Sequence, residues 1–197
     1  MDVDRRRFLN LAGLGATGAA ALLAGCGNET NKGEGPIAGE KSQESATGSI
    51  ESDVNDVNVL NSALDLEHEA VAAYSQALKV LRGANLRYAR TVLNQERAHV
   101  TVLEHAIRGL GARPNQSRGT YNFPRLTTED AVLRFATGLE NKVVANYIDA
   151  IPRLDAAELR GTIATIFANE AEHLALLNGA LKERSAPSAF VTGEAQA

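Results

Sequence analysis

The sequence predicts an all-α fold: a four-helix bundle of two helical hairpins, joined by one long crossover between the second and third helices. Three observations lead there. Apolar residues recur at intervals of three and four over four long stretches, the spacing of a single helix face. The connections between those stretches run short, long, short. The second pair of stretches also repeats the pattern of the first, with Glu67 and Tyr74 answered by Glu140 and Tyr147, and Glu96 and His99 by Glu170 and His173.

The first helix is predicted over residues 53–82. Val57, Leu60, Leu64, Glu67, Val71, Tyr74, Leu78 and Leu81 make one continuous seam, with Ser52 placed to cap it and Gly83 to stop it. The second, over 85–110, carries the seam Leu86, Ala89, Leu93, Glu96, Val100, Leu103, Ile107 and Leu110 and ends at Gly111. "GARPNQSRGTYNFPRL" follows, too rich in turn residues to continue a helix, and forms the crossover. The third helix starts at Thr127 or Thr128, with Asp130 three residues after Thr127 in a capping arrangement, and ends near Ile151 because Pro152 lacks the amide that would continue it. The fourth starts after Asp155, which stands at capping-box spacing from Glu158, and runs through Ile163, Ile166, Glu170, His173, Leu177 and Leu181.

The rest of the chain is read as appendages. With 197 residues and 44% hydrophobic content, the chain suits one domain, taken as residues 53–184, plus tails. Residues 1–25 have the layout of an export signal: Arg5, Arg6 and Arg7, then an apolar run rich in Ala, Gly and Leu, then small residues. "RRRFL" resembles a twin-arginine signal with Arg5 and Arg6 as the pair, although Asp4 stands where Ser or Thr is usual. "LAGC" resembles a bacterial lipobox whose cysteine, Cys26, is lipidated after cleavage. Cleavage there removes Arg5, Arg6 and Arg7 against Asp2 and Asp4, so the net charge of −4 becomes −5. Residues 26–52 are polar enough to be a flexible tether, reaching about 25–30 Å as a coil. Residues 185–197 form a C-terminal tail.

Composition also excludes function classes. A mild negative charge with no basic stripe argues against nucleic acid as a partner. A single cysteine rules out disulfide frameworks, CxxC redox pairs and cysteine-rich zinc sites.

Every seam carries one glutamate: Glu67, Glu96, Glu140 and Glu170. A lone carboxylate in an apolar seam costs several kcal/mol even after relaxation. Any one of them could sit where a seam drifts to the surface or pairs with an arginine. Four at one level cannot be explained that way, and on two helices a histidine follows at i+3, on the same face. Four carboxylates balance two divalent cations, and oxygen-rich sets with one imidazole per metal suit iron or manganese better than zinc. Tyr74 and Tyr147, two turns beyond Glu67 and Glu140, are placed to hydrogen-bond the ligand carboxylates. His68, His105, Glu69 and Glu172 fall off the seams and are expected to face outward. Without metal the four carboxylates repel one another, so some should hold protons. Glu96→Ala is expected to weaken metal binding and to relieve that repulsion in the metal-free chain.

The stretches "LDLEHEAVAAY", "NQERAHVTVLEHAI", "GLENKVVANYIDAIP" and "ANEAEHLALLNGAL" resemble the ferritin-like superfamily, and within it the small exported ferritin-like proteins. Together with the segments between them they cover roughly two thirds of the chain. Carried over residue by residue, the resemblance makes Glu67 and Glu140 terminal ligands and Glu96 and Glu170 bridging ones, with His99 and His173 completing one metal each. It implies two divalent ions, iron favoured over manganese, and redox chemistry toward dioxygen or peroxide, ferrous oxidation included. The single cysteine leaves no room for a rubrerythrin-type cysteine-ligated iron. A lipid tether does not suit a storage cage, and the large additional segments of manganese catalases are missing. The location expected is the bacterial envelope, lipid-anchored at the outer face of the cytoplasmic membrane or on the periplasmic side. The partners expected are that membrane and the twin-arginine export machinery, and a homo-oligomer is compatible with this reading. The competing expectation is a non-catalytic envelope binding or structural module, in which the dimetal site only staples the bundle or is vestigial.

Overall fold

The structure, a computed structural model, describes residues 44–194, with side chains from residue 53 onward. The export signal, Arg5, Arg6, Cys26 and the tether up to residue 43 lie outside the described residues. Four helices follow in order: α1 (Glu44–Ala77), α2 (Gly83–Gly109), α3 (Glu129–Arg153) and α4 (Ala157–Ala180). There is no strand among the described residues. Nor is any helix among them long and apolar enough to cross a membrane.

α1 and α2 form one hairpin, α3 and α4 the other, and α1 lies along α3. Leu60, Leu64, Leu103, Ile107, Val143, Ile163 and Ile166 pack together at one end of the bundle. Ala77, Leu81, Ala89, Leu93, Val132, Leu133 and Leu177 pack at the other. The seam residues read from the sequence therefore make two apolar cores, one on each side of the acidic level. The crossover runs beside α1. Asn115 donates twice there, its backbone amide to Asn61 Oδ1 at 2.8 Å and its side-chain amide to Asp65 at 3.2 Å. Phe123 stacks on Tyr121 and sets its ring edge to face with Phe135.

Several boundaries differ from expectation. α1 begins at Glu44 rather than after Ser52, so Ser52 is not its cap and residues 44–52 of the expected tether are helical. The segment "ESATGSIES" holds no proline, which lets the helix of the core propagate outward through it. α1 ends at Ala77, in hydrogen-bonded turns up to residue 80, and Gly83 (φ 53°) opens α2 instead of closing α1. Gly111 (φ 73°) does stop α2. Thr128, not Thr127, caps α3, its hydroxyl accepting from the Ala131 amide at 3.2 Å. Pro152 sits inside the last turn of α3, where only the final hydrogen bonds of the helix are at stake.

Asp155 does not cap α4. The amides of Asp155 and Ala156 are instead taken by Asp56, buried on α1, at 2.7 and 3.1 Å. Asn55 binds the Arg153 carbonyl at 2.7 Å and the Asp155 carboxylate at 3.0 Å. The tight turn of the second hairpin is thus fastened by the first. Beyond α4 the tail returns over α3 and α4. Gly193 presses on the backbone of Asn141 and Ala145 so closely that a Cβ would stand 2.4 Å from the Ala145 nitrogen.

Candidate metal centre

Glu67 and Glu140 come from α1 and α3, Glu96 with His99 from α2, and Glu170 with His173 from α4. All six are buried, the four carboxylates completely. The fold brings every one of them to a single level. His99 Nδ1 lies 2.8 Å from Glu170 and 3.5 Å from both Glu67 and Glu96. His173 Nδ1 lies 3.0 Å from Glu170, 3.2 Å from Glu96 and 3.7 Å from Glu140. The atoms form two overlapping ligand sets, Glu67–Glu96–His99–Glu170 and Glu96–Glu140–Glu170–His173. Glu96 and Glu170 belong to both.

Helix periodicity explains the convergence. The i+3 spacing stacks each histidine over its own glutamate. The Cα–Cβ bonds of α2 and α4 turn both pairs toward α1 and α3. The tyrosines then cross between the halves. Tyr74 donates its hydroxyl to Glu140, and Tyr147 to Glu67, each by a short hydrogen bond. Each tyrosine therefore holds the carboxylate of the opposite hairpin rather than that of its own helix.

The charge is not shared evenly. Burial pushes Glu67 and Glu140 well above the usual carboxylate range, and the neighbouring carboxylates push further the same way. Burial also acts against Glu96 and Glu170. There it is outweighed by the close approach of the His173 and His99 imidazoles, so Glu96 falls below the usual value and Glu170 to about 2. Burial disfavours the charge on the histidines too. The surrounding carboxylates prevail, raising His99 to about 12 and His173 to about 9. In the metal-free chain, charge is favoured on the two shared carboxylates and the two imidazoles and disfavoured on the two outer carboxylates. The expected repulsion therefore resolves onto Glu67 and Glu140, and Glu96 is not one of the strained groups.

Even so, Glu67 Oε2, both oxygens of Glu96, Glu140 Oε2, Glu170 Oε1 and His99 Nδ1 lack a properly directed hydrogen bond. So many buried polar atoms without partners, aimed into one space, is the condition a bound cation relieves. Four carboxylates and two imidazoles fit a pair of divalent ions in charge and in donor type.

The sequence profile of the ferritin-like domain matches residues 55–183. The chain belongs to the ferritin-like domain family. Among solved structures, this ferritin-like chain is similar to a conserved hypothetical protein from Mycobacterium tuberculosis, at TM-score 0.62 and 17% identity, covering 64% of this chain and 97% of that one. It is also similar to a ferritin-like, diiron-carboxylate protein from Bacillus anthracis str. Ames, at TM-score 0.59 and 19% identity, covering 66% and 97% respectively. At such identities the likeness is one of fold. No curated protein matches the chain.

The residues expected outside the ferritin-like centre stand outside it. His105 is exposed. Glu69 pairs with Lys142 at 2.9 Å, and Glu172 accepts from Asn169. His68 is only half-buried and meets the Asn115 carbonyl at 3.4 Å. Two contacts were not foreseen. Gln95 Oε1 lies 3.1 Å from His173 Nε2, and the Tyr88 hydroxyl donates to the His173 carbonyl at 3.0 Å. Gln95 sits immediately before Glu96, so its place was readable, but its partner on another helix was not.

Proposed function

We propose that this chain is an exported, lipid-anchored ferritin-like protein whose bundle holds two iron or manganese ions, iron favoured, and oxidises ferrous iron, reduces peroxide or dioxygen, or does both. The observation that carries the reading is the pair of overlapping ligand sets sharing Glu96 and Glu170, lined by buried carboxylate oxygens without partners. The described likeness to a diiron-carboxylate protein supports it. Two such ions, when bound, supply the redox chemistry.

The chain's own residues set the conditions. Four carboxylates neutralise the ions and two Nδ1 atoms complete the donor sets. Tyr74 and Tyr147 hold the outer carboxylates in place. The apolar layers on either side keep water out. His99, 8% exposed, is the one of the six that touches solvent most, and marks the side on which small oxidants reach the site.

Anchoring rests on Cys26 and export on Arg5 and Arg6. Lipid labelling lost in Cys26→Ser, and cytoplasmic retention of an Arg5→Lys, Arg6→Lys chain, are the results expected. The central test is metal analysis of the full chain from iron- and manganese-supplemented cells, followed by dioxygen and peroxide electrodes on adding ferrous ion. Two metals per chain and oxidant consumption are expected. Absence of metal would overturn the dimetal centre. Metal without consumption would replace the enzyme by a metal-stapled module.

A further inference from the structure

The ligands, the two tyrosines and the four helices all obey the internal repeat, so the places where the repeat fails single out what differs between the two metal positions. At an offset of 74 residues, Gln95 corresponds to Asn169 and Tyr88 to Thr162. Gln95 reaches from α2 to His173 Nε2 on α4 at 3.1 Å. Asn169, one methylene shorter, turns instead to Glu172 on its own helix at 3.3 Å. Tyr88 donates to the His173 carbonyl at 3.0 Å, whereas Thr162 bonds the Glu158 carbonyl on its own helix at 3.1 Å. Among the described residues none hydrogen-bonds His99 Nε2, and His99 is 8% exposed against 1% for His173.

The geometry points to Gln95 as a positioning residue that holds His173 for one metal position only, so that the Glu140–His173 position retains its ion and the Glu67–His99 position is the exchangeable one. The inference rests on the dimetal reading above. A neutral imidazole has one N–H, and its partner fixes which nitrogen carries it. With Gln95 Oε1 accepting from the Nε2 N–H, the His173 nitrogen left to an ion is Nδ1, the atom that faces Glu96, Glu140 and Glu170. The ring is thereby aimed, with Nδ1 toward the carboxylates, before any ion arrives. His99 also presents Nδ1 to the carboxylates, but no described side chain fixes its outer nitrogen and its ring borders solvent. An ion at that position therefore bears the cost of orienting its imidazole, and has the shorter way out.

The test is anaerobic calorimetric titration of the full chain with manganous ion. Wild type is expected to bind two ions in separable steps. Gln95→Leu, which keeps the bulk and removes the acceptor, should weaken the tighter step by about 10- to 100-fold and leave the weaker one in place. Gln95→Glu restores an acceptor and should restore the tight step. Asn169→Leu should leave both steps unchanged. A general loss of structure would move both steps together, so equal weakening of both in Gln95→Leu overturns the inference, as does no change in either. If Gln95→Leu does not fold, Gln95→Ala is read by the same criterion. Two identical wild-type steps overturn the inequality while the dimetal reading stands. No manganous binding by wild type overturns both.

Discussion

Tyr147 on α3 donates its hydroxyl to Glu67 on α1, and Tyr74 on α1 returns the same bond to Glu140 on α3. The two antiparallel helices thus secure each other's ligand. Removing either hydroxyl takes the only directed donor among the described residues from a carboxylate whose second oxygen has no partner among them. Tyr147→Phe and Tyr74→Phe should each weaken metal binding by about 10- to 100-fold. Each should also destabilise the metal-free bundle by about 1–3 kcal/mol. Manganous titration together with denaturant midpoints measures both. Unchanged affinity in both variants would show that the carboxylates are placed by packing alone.

Asp56 acts on stability without touching the site. It is a buried carboxylate whose two oxygens hold the amides of Asp155 and Ala156 at the start of α4, and it replaces the local cap that this helix lacks. Asp56→Ala leaves two amides without that acceptor and should cost about 1–3 kcal/mol. Metal affinity should hold, because the turn lies at the end of the bundle beyond the apolar layer. A denaturant melt paired with a metal titration separates the two. Lost affinity at unchanged stability would contradict this assignment.

Helix-period spacing of apolar residues reports which face is inside, so the four helices and the convergence of Glu67, Glu96, His99, Glu140, Glu170 and His173 followed from local pattern. Caps did not. Asp155 and Glu158 have capping-box spacing, yet Asp56 does the capping from nearly a hundred residues away. The start of α1 and the position of Pro152 were missed because propagation from a packed core overrides weak local stop signals. The tyrosines' spacing pointed to the carboxylates. That each would cross to the other hairpin is a property of the antiparallel packing of α1 on α3, as is the reach of Gln95 to His173 for α2 on α4.

Acidity should move the metal-free and metal-bound proteins in opposite directions. Glu67 and Glu140 are raised above 4.5, so the stability they contribute is full below that value and is lost as pH rises. His99 and His173 are raised from 6.5 to about 12 and about 9; their contribution is full below 6.5 and fades as pH rises through those values. Glu170 is lowered to about 2 and Glu96 is lowered too, so their contribution is present above 4.5 and lost as pH falls. These six groups together favour the metal-free bundle most near pH 4.5, and progressively less as pH rises above it. Metal displaces the protons on both imidazoles and both outer carboxylates, so its affinity and the stability it adds should grow with pH. Thermal melts from pH 4 to 9, with and without manganous ion, check this. A metal-free chain more stable at pH 8.5 than at 5.5 would contradict it.

The uneven charge makes the four glutamates respond differently to neutralisation. Burial and the neighbouring carboxylates raise Glu67 and Glu140, so the cost of burying them grows as pH rises above 4.5. Glu67→Gln and Glu140→Gln remove it while keeping an oxygen for the tyrosine hydroxyl. They should raise the metal-free melting temperature at pH 7.5, by on the order of 3–5 °C for each kcal/mol relieved. Glu96 is instead ionised against His99 and His173, so Glu96→Ala should lower it, leaving two buried imidazolium groups short of a counter-charge. Metal reverses part of the order. Glu67→Gln touches one ligand set and should spare one ion, whereas Glu96→Ala touches both and should lose both. Melts of the three variants and wild type, with and without ferrous or manganous ion, read the two effects separately. A metal-free Glu96→Ala chain more stable than wild type, or one that still binds two ions, would remove Glu96 from its shared place between the imidazoles.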